Sequence, residues 1–261
     1  MTLNDNQLES VPAELGKIAP LKVLWLTDNK LTRVPKEIGD LGALTVLKLG
    51  SNQLTSVPKE LGRLAALEKL YLEHNKLTSV RAELGRLAAL ERLILTNNQL
   101  TSVPAELGGL TALEYLDLND NKLTSVPKEL GNLVELDVFY LDGNELTSVP
   151  AALGGLTSLT VLSLGSNQLT SVPKELGNLK AVRYLNLDNN QVTSVPAELG
   201  RLTTLQILSL EDNQLTSVPK QLGDLNAMDQ LRLGGNPGLA ALPEEVDQLS
   251  TAHGGICDIT M

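Results

Sequence analysis

The chain has 261 residues but a single cysteine, Cys257, so no internal disulfide can form. Histidines number two, His74 and His253, too few for the common zinc sites unless carboxylates complete the ligand set. Aromatic residues are 2 % of the chain, which rules out a conventional core built on large rings. No apolar run approaches the ~20 residues that a membrane-crossing helix needs. The first residues, MTLNDNQLES, lack the basic-then-apolar pattern of a secretory leader. There is also no Asn-x-Ser/Thr acceptor, and these absences together set the expectation of a cytosolic protein that does not insert into membranes. Positive charge is scarce as well: 21 Lys and Arg face 31 Asp and Glu, a net charge of −10. Phosphate contacts require clustered cations, so nucleic acid is excluded as the expected partner.

Signs of catalysis are equally thin. No glycine-rich phosphate loop occurs, and no cofactor is expected. His253 and Cys257 fall close together in AHGGIC, and a Cys–His pair can be nucleophilic. Nothing nearby would orient that pair or stabilise an oxyanion. The chain reads as a non-enzyme.

What the chain has in abundance is one spacing. Asn6, Asn29, Asn52, Asn75, Asn98, Asn121, Asn144, Asn167, Asn190, Asn213 and Asn236 follow one another at 23-residue intervals, each framed as in LERLILTNNQL. A fixed period of this length denotes a stack of similar units rather than one globular core. The repeat occupies residues 1–249, leaving 250–261 as a C-terminal tail.

One unit, LTVLSLGSNQLTSVPKELGNLKA from Leu159, shows how a layer forms. Leu162 and Leu164 alternate with Val161, Ser163 and Gly165, the pattern of a short strand with one buried and one open face. Asn167 ends the strand, where an amide can serve backbone groups that have lost ladder partners. Repetition predicts a hydrogen-bonded column through Asn29, Asn52, Asn75, Asn98, Asn121, Asn144, Asn167, Asn190 and Asn213. Pro173 suits the first position of a short helix or 3₁₀ turn. Gly177 suits a left-handed stop to that turn. A narrow strand side and a wider helical side make the stack curve, with the strands on the concave face.

The pattern LxxLxLxxNxLTSVPxELGxL resembles the 23-residue class of leucine-rich repeats found in Ras-group and many bacterial and protist proteins. The likeness runs through nearly the whole chain. It implies an α/β solenoid, a right-handed superhelix with a parallel concave sheet and short helical or 3₁₀ convex segments. It also implies non-enzymatic binding of proteins or peptides on the concave face.

Departures from the repeat are few. Arg81 stands where Pro58 and Pro104 stand in other units, and Phe139 replaces a strand leucine as a core substitution. NPGLAALP after Asn236 carries one extra residue, as expected of an atypical terminal unit. Asn6 comes so early that the first strand is cut short, which opens self-association through an uncapped N-terminal end as an alternative role. Near-identical repeats fit a structural scaffold without a ligand of its own equally well.

The asparagines also serve as a ruler for the open face. Counting back from them puts the only tryptophan and all four tyrosines in two outward columns: Trp25, Tyr71, Tyr115, Tyr140 and Tyr184. Strand propensity alone favours such residues there. Outward aromatics on a rigid scaffold are also the usual anchors of binding sites, and a carbohydrate ligand could use the same rings. Lys48, Lys69 and Arg92 collect on the first half of that face, whereas Asp117 and Asp142 belong to its acidic second half. This polarity would orient a protein or peptide partner.

Overall fold

A computed structural model of the chain describes residues 1–249 and 258–261. His253 and Cys257 lie outside the described residues. The chain divides into two compact units, Met1–Leu123 and Thr124–Met261.

In the first unit five three-residue strands pair side by side in parallel: β1 (Val23–Trp25), β2 (Val46–Lys48), β3 (Lys69–Tyr71), β4 (Arg92–Ile94) and β5 (Tyr115–Asp117). Partners are always one repeat apart, as in Lys48↔Tyr71. Side-chain period sets the burial: the central leucines Leu24, Leu47, Leu70, Leu93 and Leu116 are fully buried, while their flanking residues face outward. Each such burial is worth about 1.5–3 kcal/mol, and the gain recurs layer by layer. The second unit repeats this arrangement with β6 (Val138–Tyr140), β7 (Val161–Ser163), β8 (Tyr184–Asn186), β9 (Ile207–Ser209) and β10 (Gln230–Arg232). Phe139 takes the leucine position in β6 and is fully buried. Of the tail, Asp258–Thr260 forms β11, parallel to β10.

Opposite the strands the layers carry five-residue 3₁₀ turns, for example Lys59–Arg63 and Lys174–Asn178, until the layer of β10, which carries a four-residue α-helix, Glu244–Asp247. The prolines sit one residue earlier than expected. Pro173 is extended (φ −69°, ψ 142°), and its carbonyl accepts the Leu176 N–H at 3.1 Å, which closes the turn. Arg81 holds nearly the same backbone (φ −75°, ψ 133°), and no described residue accepts a hydrogen bond from its N–H. Arg81→Pro should therefore raise stability by about 0.4–1 kcal/mol by restricting the unfolded chain. Urea unfolding of the two proteins checks this.

The turn glycines play a different part from the one expected. Gly177 is not left-handed; among described glycines only Gly143 and Gly235 have positive φ. A Cβ on Gly177 would lie 2.7 Å from the backbone carbonyl carbon of Glu198 in the next turn. Glycine is there because adjacent turns touch backbone to backbone. The left-handed residues instead precede each column asparagine, from Asp28 (φ 55°), Ser51 (φ 52°) and His74 (φ 52°) to Asp212 (φ 52°).

Those turns aim the asparagines inward. Asn52 Nδ2 donates to the carbonyls of Leu26 (2.9 Å), Leu49 (3.0 Å) and Gly50 (3.0 Å), while its Oδ1 accepts the Leu31 N–H at 3.0 Å. Asn190 does the same in the second unit, bonding Leu164, Leu187 and Asp188 carbonyls and the Leu169 N–H. Each amide thus ties its own layer to the one before it.

Candidate functional site

The open face of the first unit gathers most of the residues singled out from the sequence. Trp25, Lys48 and Tyr71 are consecutive partners across β1, β2 and β3, forming one row. Lys48 Nζ lies 4.9 Å from the Trp25 ring centroid and 4.8 Å from that of Tyr71, so a single ammonium is held between two rings. The second row runs Lys69, Arg92, Tyr115 across β3, β4 and β5. There the Arg92 guanidinium stands 4.0 Å over the Tyr115 ring. All six side chains are half-buried, so ring faces and cationic heads remain open to a partner.

Two polar atoms in this region are buried without a hydrogen-bond partner: Trp25 Nε1 and Glu73 Oε2. Glu73 folds back over Gly50, its Cδ 2.6 Å from where a Cβ on that glycine would stand. A side chain at position 50 would displace that carboxylate. Asp117 Oδ1 accepts the Asn119 N–H at 3.0 Å. His74 is an exposed turn residue beside Glu73.

The second unit arranges its open face differently. Ser163, expected on the open face, and Ser209, which holds the same position two layers on, are buried (4 % and 0 % exposed). Acidic side chains from the preceding layer cover them. Asp142 Oδ1 accepts from Ser163 Oγ (2.7 Å), Gly165 N (2.9 Å) and Asn186 Nδ2 (3.0 Å). Asp188 repeats the motif, with Oδ2 accepting from Ser209 Oγ at 2.8 Å and Oδ1 from Glu211 N at 2.7 Å. Charged acceptors in such networks are strong fasteners. Asp142 thus fastens three layers of its own unit.

Tyr140 is on β6 and Tyr184 on β8, with β7 between them. Burial raises the Tyr184 phenol above its ordinary value, and the Asp188 and Asp142 carboxylates push the same way. The phenol therefore stays protonated, a hydrogen-bond donor, throughout the neutral range. Arg232 is occupied locally, its Nε donating to Gln230 Oε1 at 3.1 Å. Among the described residues no cluster of His, Cys, Asp and Glu is placed to hold a metal ion, and no helix is long and apolar enough to cross a membrane.

Comparison with known proteins agrees with this architecture. A family model described as a leucine-rich repeat region matches residues 2–114, and one described as leucine rich repeat matches residues 88–146, 135–192 and 183–237. The chain belongs to the leucine-rich-repeat family. It is an α/β solenoid of parallel strands and short 3₁₀ turns. A solved leucine-rich-repeat protein of Leptospira interrogans is 33 % identical, with a TM-score of 0.65 over 98 % of this chain and 76 % of that one. The GASSHO1/SCHENGEN3 receptor-kinase ectodomain of Arabidopsis thaliana, solved with CASPARIAN STRIP INTEGRITY FACTOR 2, is 32 % identical with a TM-score of 0.76. That match covers all of this chain and 35 % of the receptor chain. The plant peptide hormone receptor RGFR1, solved with RGF2, is 29 % identical with a TM-score of 0.79, over 89 % of this chain and 38 % of its own. This chain therefore spans little more than a third of the length of those plant ectodomains. No curated protein sequence matches it significantly.

Proposed function

We propose that this chain is a non-enzymatic module that binds a protein or peptide on the open face of its strands. One observation carries the reading: Trp25, Tyr71, Tyr115, Tyr140 and Tyr184 all occupy outward strand positions, where none is needed for the leucine core. Rigid, half-exposed rings lose little entropy on binding and bury large areas, which suits them as anchors. Lys48, Lys69, Arg92 and Asp117 charge the open face of the first unit, and Asp142 that of the second. Support also comes from the plant ectodomains of like fold, two of which were solved with RGF2 and CASPARIAN STRIP INTEGRITY FACTOR 2 bound.

The test is selection of binders from a displayed library of random twelve-residue peptides, followed by measurement against chain variants. Tyr71→Ser with Tyr115→Ser, and separately Tyr140→Ser with Tyr184→Ser, should identify the face used. Loss of a central aromatic anchor weakens binding by roughly 30-fold or more. Failure to enrich any binder, or binders indifferent to both variants, would overturn the reading.

A further inference from the structure

Resting on that reading, we infer that the first unit's open face takes an acidic, extended peptide segment, with Lys48, Lys69 and Arg92 receiving its carboxylates. Charge is the first ground. Residues 1–123 hold 14 Lys and Arg against 15 Asp and Glu, whereas residues 124–261 hold 7 against 16. The chain's acidity thus belongs almost wholly to the second unit, and the first can accept an anion without working against a large net charge.

The second ground is the state of the three cations. No side chain of Lys48, Lys69 or Arg92 donates a hydrogen bond to, or forms an ion pair with, any described residue. Of the carboxylates on the same face, Glu73 lies against Gly50 and Asp117 accepts the Asn119 N–H. Lys69 and Arg92 are direct partners across β3 and β4, and like charges so placed repel. A carboxylate lying between them would relieve that repulsion. Lys48 and Arg92 are meanwhile held over aromatic rings, which limits the rotamer freedom lost when an anion arrives.

Spacing supplies the third ground. Parallel strands lie about 4.8 Å apart and the two rows about 6.7 Å apart along the strands, so Lys48 and Arg92 stand roughly 12 Å apart, close to the ~13 Å covered by two alternate-residue steps of an extended peptide. Acidic residues at alternate positions can reach the cations of all three strands, with the Trp25, Tyr71 and Tyr115 rings flanking them.

Sequencing the peptides enriched from the same library tests this, with affinities then measured on the full chain. Acidic residues should dominate alternate positions of the enriched set. A Lys48→Gln, Lys69→Gln, Arg92→Gln triple variant should bind at least tenfold more weakly, and raising salt should weaken the parent similarly. Lys69→Gln alone, which breaks no side-chain hydrogen bond or ion pair among the described residues, should lose about threefold. Enriched peptides that need Tyr71 and Tyr115 but lack acidic residues, or ignore the triple variant, would overturn the acidic specificity while leaving peptide binding intact. Equal competition by a ten-nucleotide oligothymidine would overturn it in favour of a generic polyanion. Dimerisation of the chain that the triple variant abolishes would overturn it in favour of a second copy. No enrichment at all, or indifference to every open-face change, removes both readings.

Discussion

Gly85→Ala is expected to lower the stability of the first unit by about 3 kcal/mol, the upper end of the range for overpacking a close-packed interior. A methyl group there would stand 2.6 Å from the carbonyl carbon of Glu106 and 3.0 Å from its Cβ, and nearer still to the carbonyl oxygen. Overpacking is tolerable when the obstacle is the end of a side chain that can swing aside. Here it is the backbone of the next 3₁₀ turn, Ala105–Gly109, whose position is set by buried Leu107 and Leu110. Relief requires the two layers to part, which would strain the strand pairing of β4 with β5 on the far side. Gly42→Ala is the matching control. It meets nothing within 4 Å and has no left-handed backbone, so it should be neutral or stabilise by about 0.4–1 kcal/mol. Stacked repeats can open layer by layer. Amide exchange resolved along the chain, together with urea unfolding, is therefore the proper measurement. Equal effects of the two substitutions would refute the backbone-contact account.

The contrast between these glycines marks the boundary of what the sequence could tell. Periodicity was enough for the strands, the turns and the inward leucines, because a layer's burial depends only on residues within one repeat. The asparagine column was legible for the same reason: an amide three residues past a strand leucine has only nearby carbonyls and the next layer to serve. The role of Gly177 was misread because its constraint comes from Glu198, a residue of the following layer. A usable signal for the left-handed turn did exist. The position before each asparagine is always Asp, Asn, Ser, His or Gly, small or polar residues suited to that backbone or its turn.

The open face shows a similar division. Counting from the asparagines put Lys48 between Trp25 and Tyr71 and Arg92 beside Tyr115, and ring–cation stacking follows from strand neighbours of those types. Burial of Ser163 and Ser209 did not follow. It depends on Asp142 and Asp188 reaching across a layer and, for Asp142, on Gly165 leaving space beside it. Likewise β11 escaped detection because Asp258 follows its partner Gln230 by 28 residues, outside the repeat.

Asn75→Asp should be the most damaging single-atom change, and its effect should depend on pH. Asn75 Nδ2 donates to the carbonyls of Leu49 (3.0 Å), Leu72 (3.2 Å) and Glu73 (3.1 Å), and Oδ1 accepts the Leu54 N–H at 2.9 Å. In the aspartate variant Oδ1 keeps its partner, but the second oxygen faces three carbonyls with no hydrogen to offer. Ionised, it is a buried charge opposed by oxygen dipoles, so burial and repulsion raise its folded-state pKa well above the ordinary ~4. The sign follows. A carboxyl whose pKa is raised on folding leaves the folded state near its full stability below the unfolded pKa. Stability then falls as pH rises between the unfolded and folded values. A rise of about three units corresponds to a loss of ~4 kcal/mol at neutral pH and above. Asn75→Ala provides the comparison, because it removes the amide without adding charge. Leu49 O keeps Asn52, Leu72 O keeps Asn98, and Glu73 O keeps the Ser51 N–H. Only the Leu54 N–H is orphaned, at about 1–3 kcal/mol and with no pH dependence. Urea unfolding from pH 4 to pH 8 should therefore show Asn75→Asp above Asn75→Ala at the acid end and falling below it as pH rises, so that the two curves cross. Parallel curves would mean that water or a shifted backbone satisfies the new oxygen, and that the column is looser than its hydrogen bonds indicate.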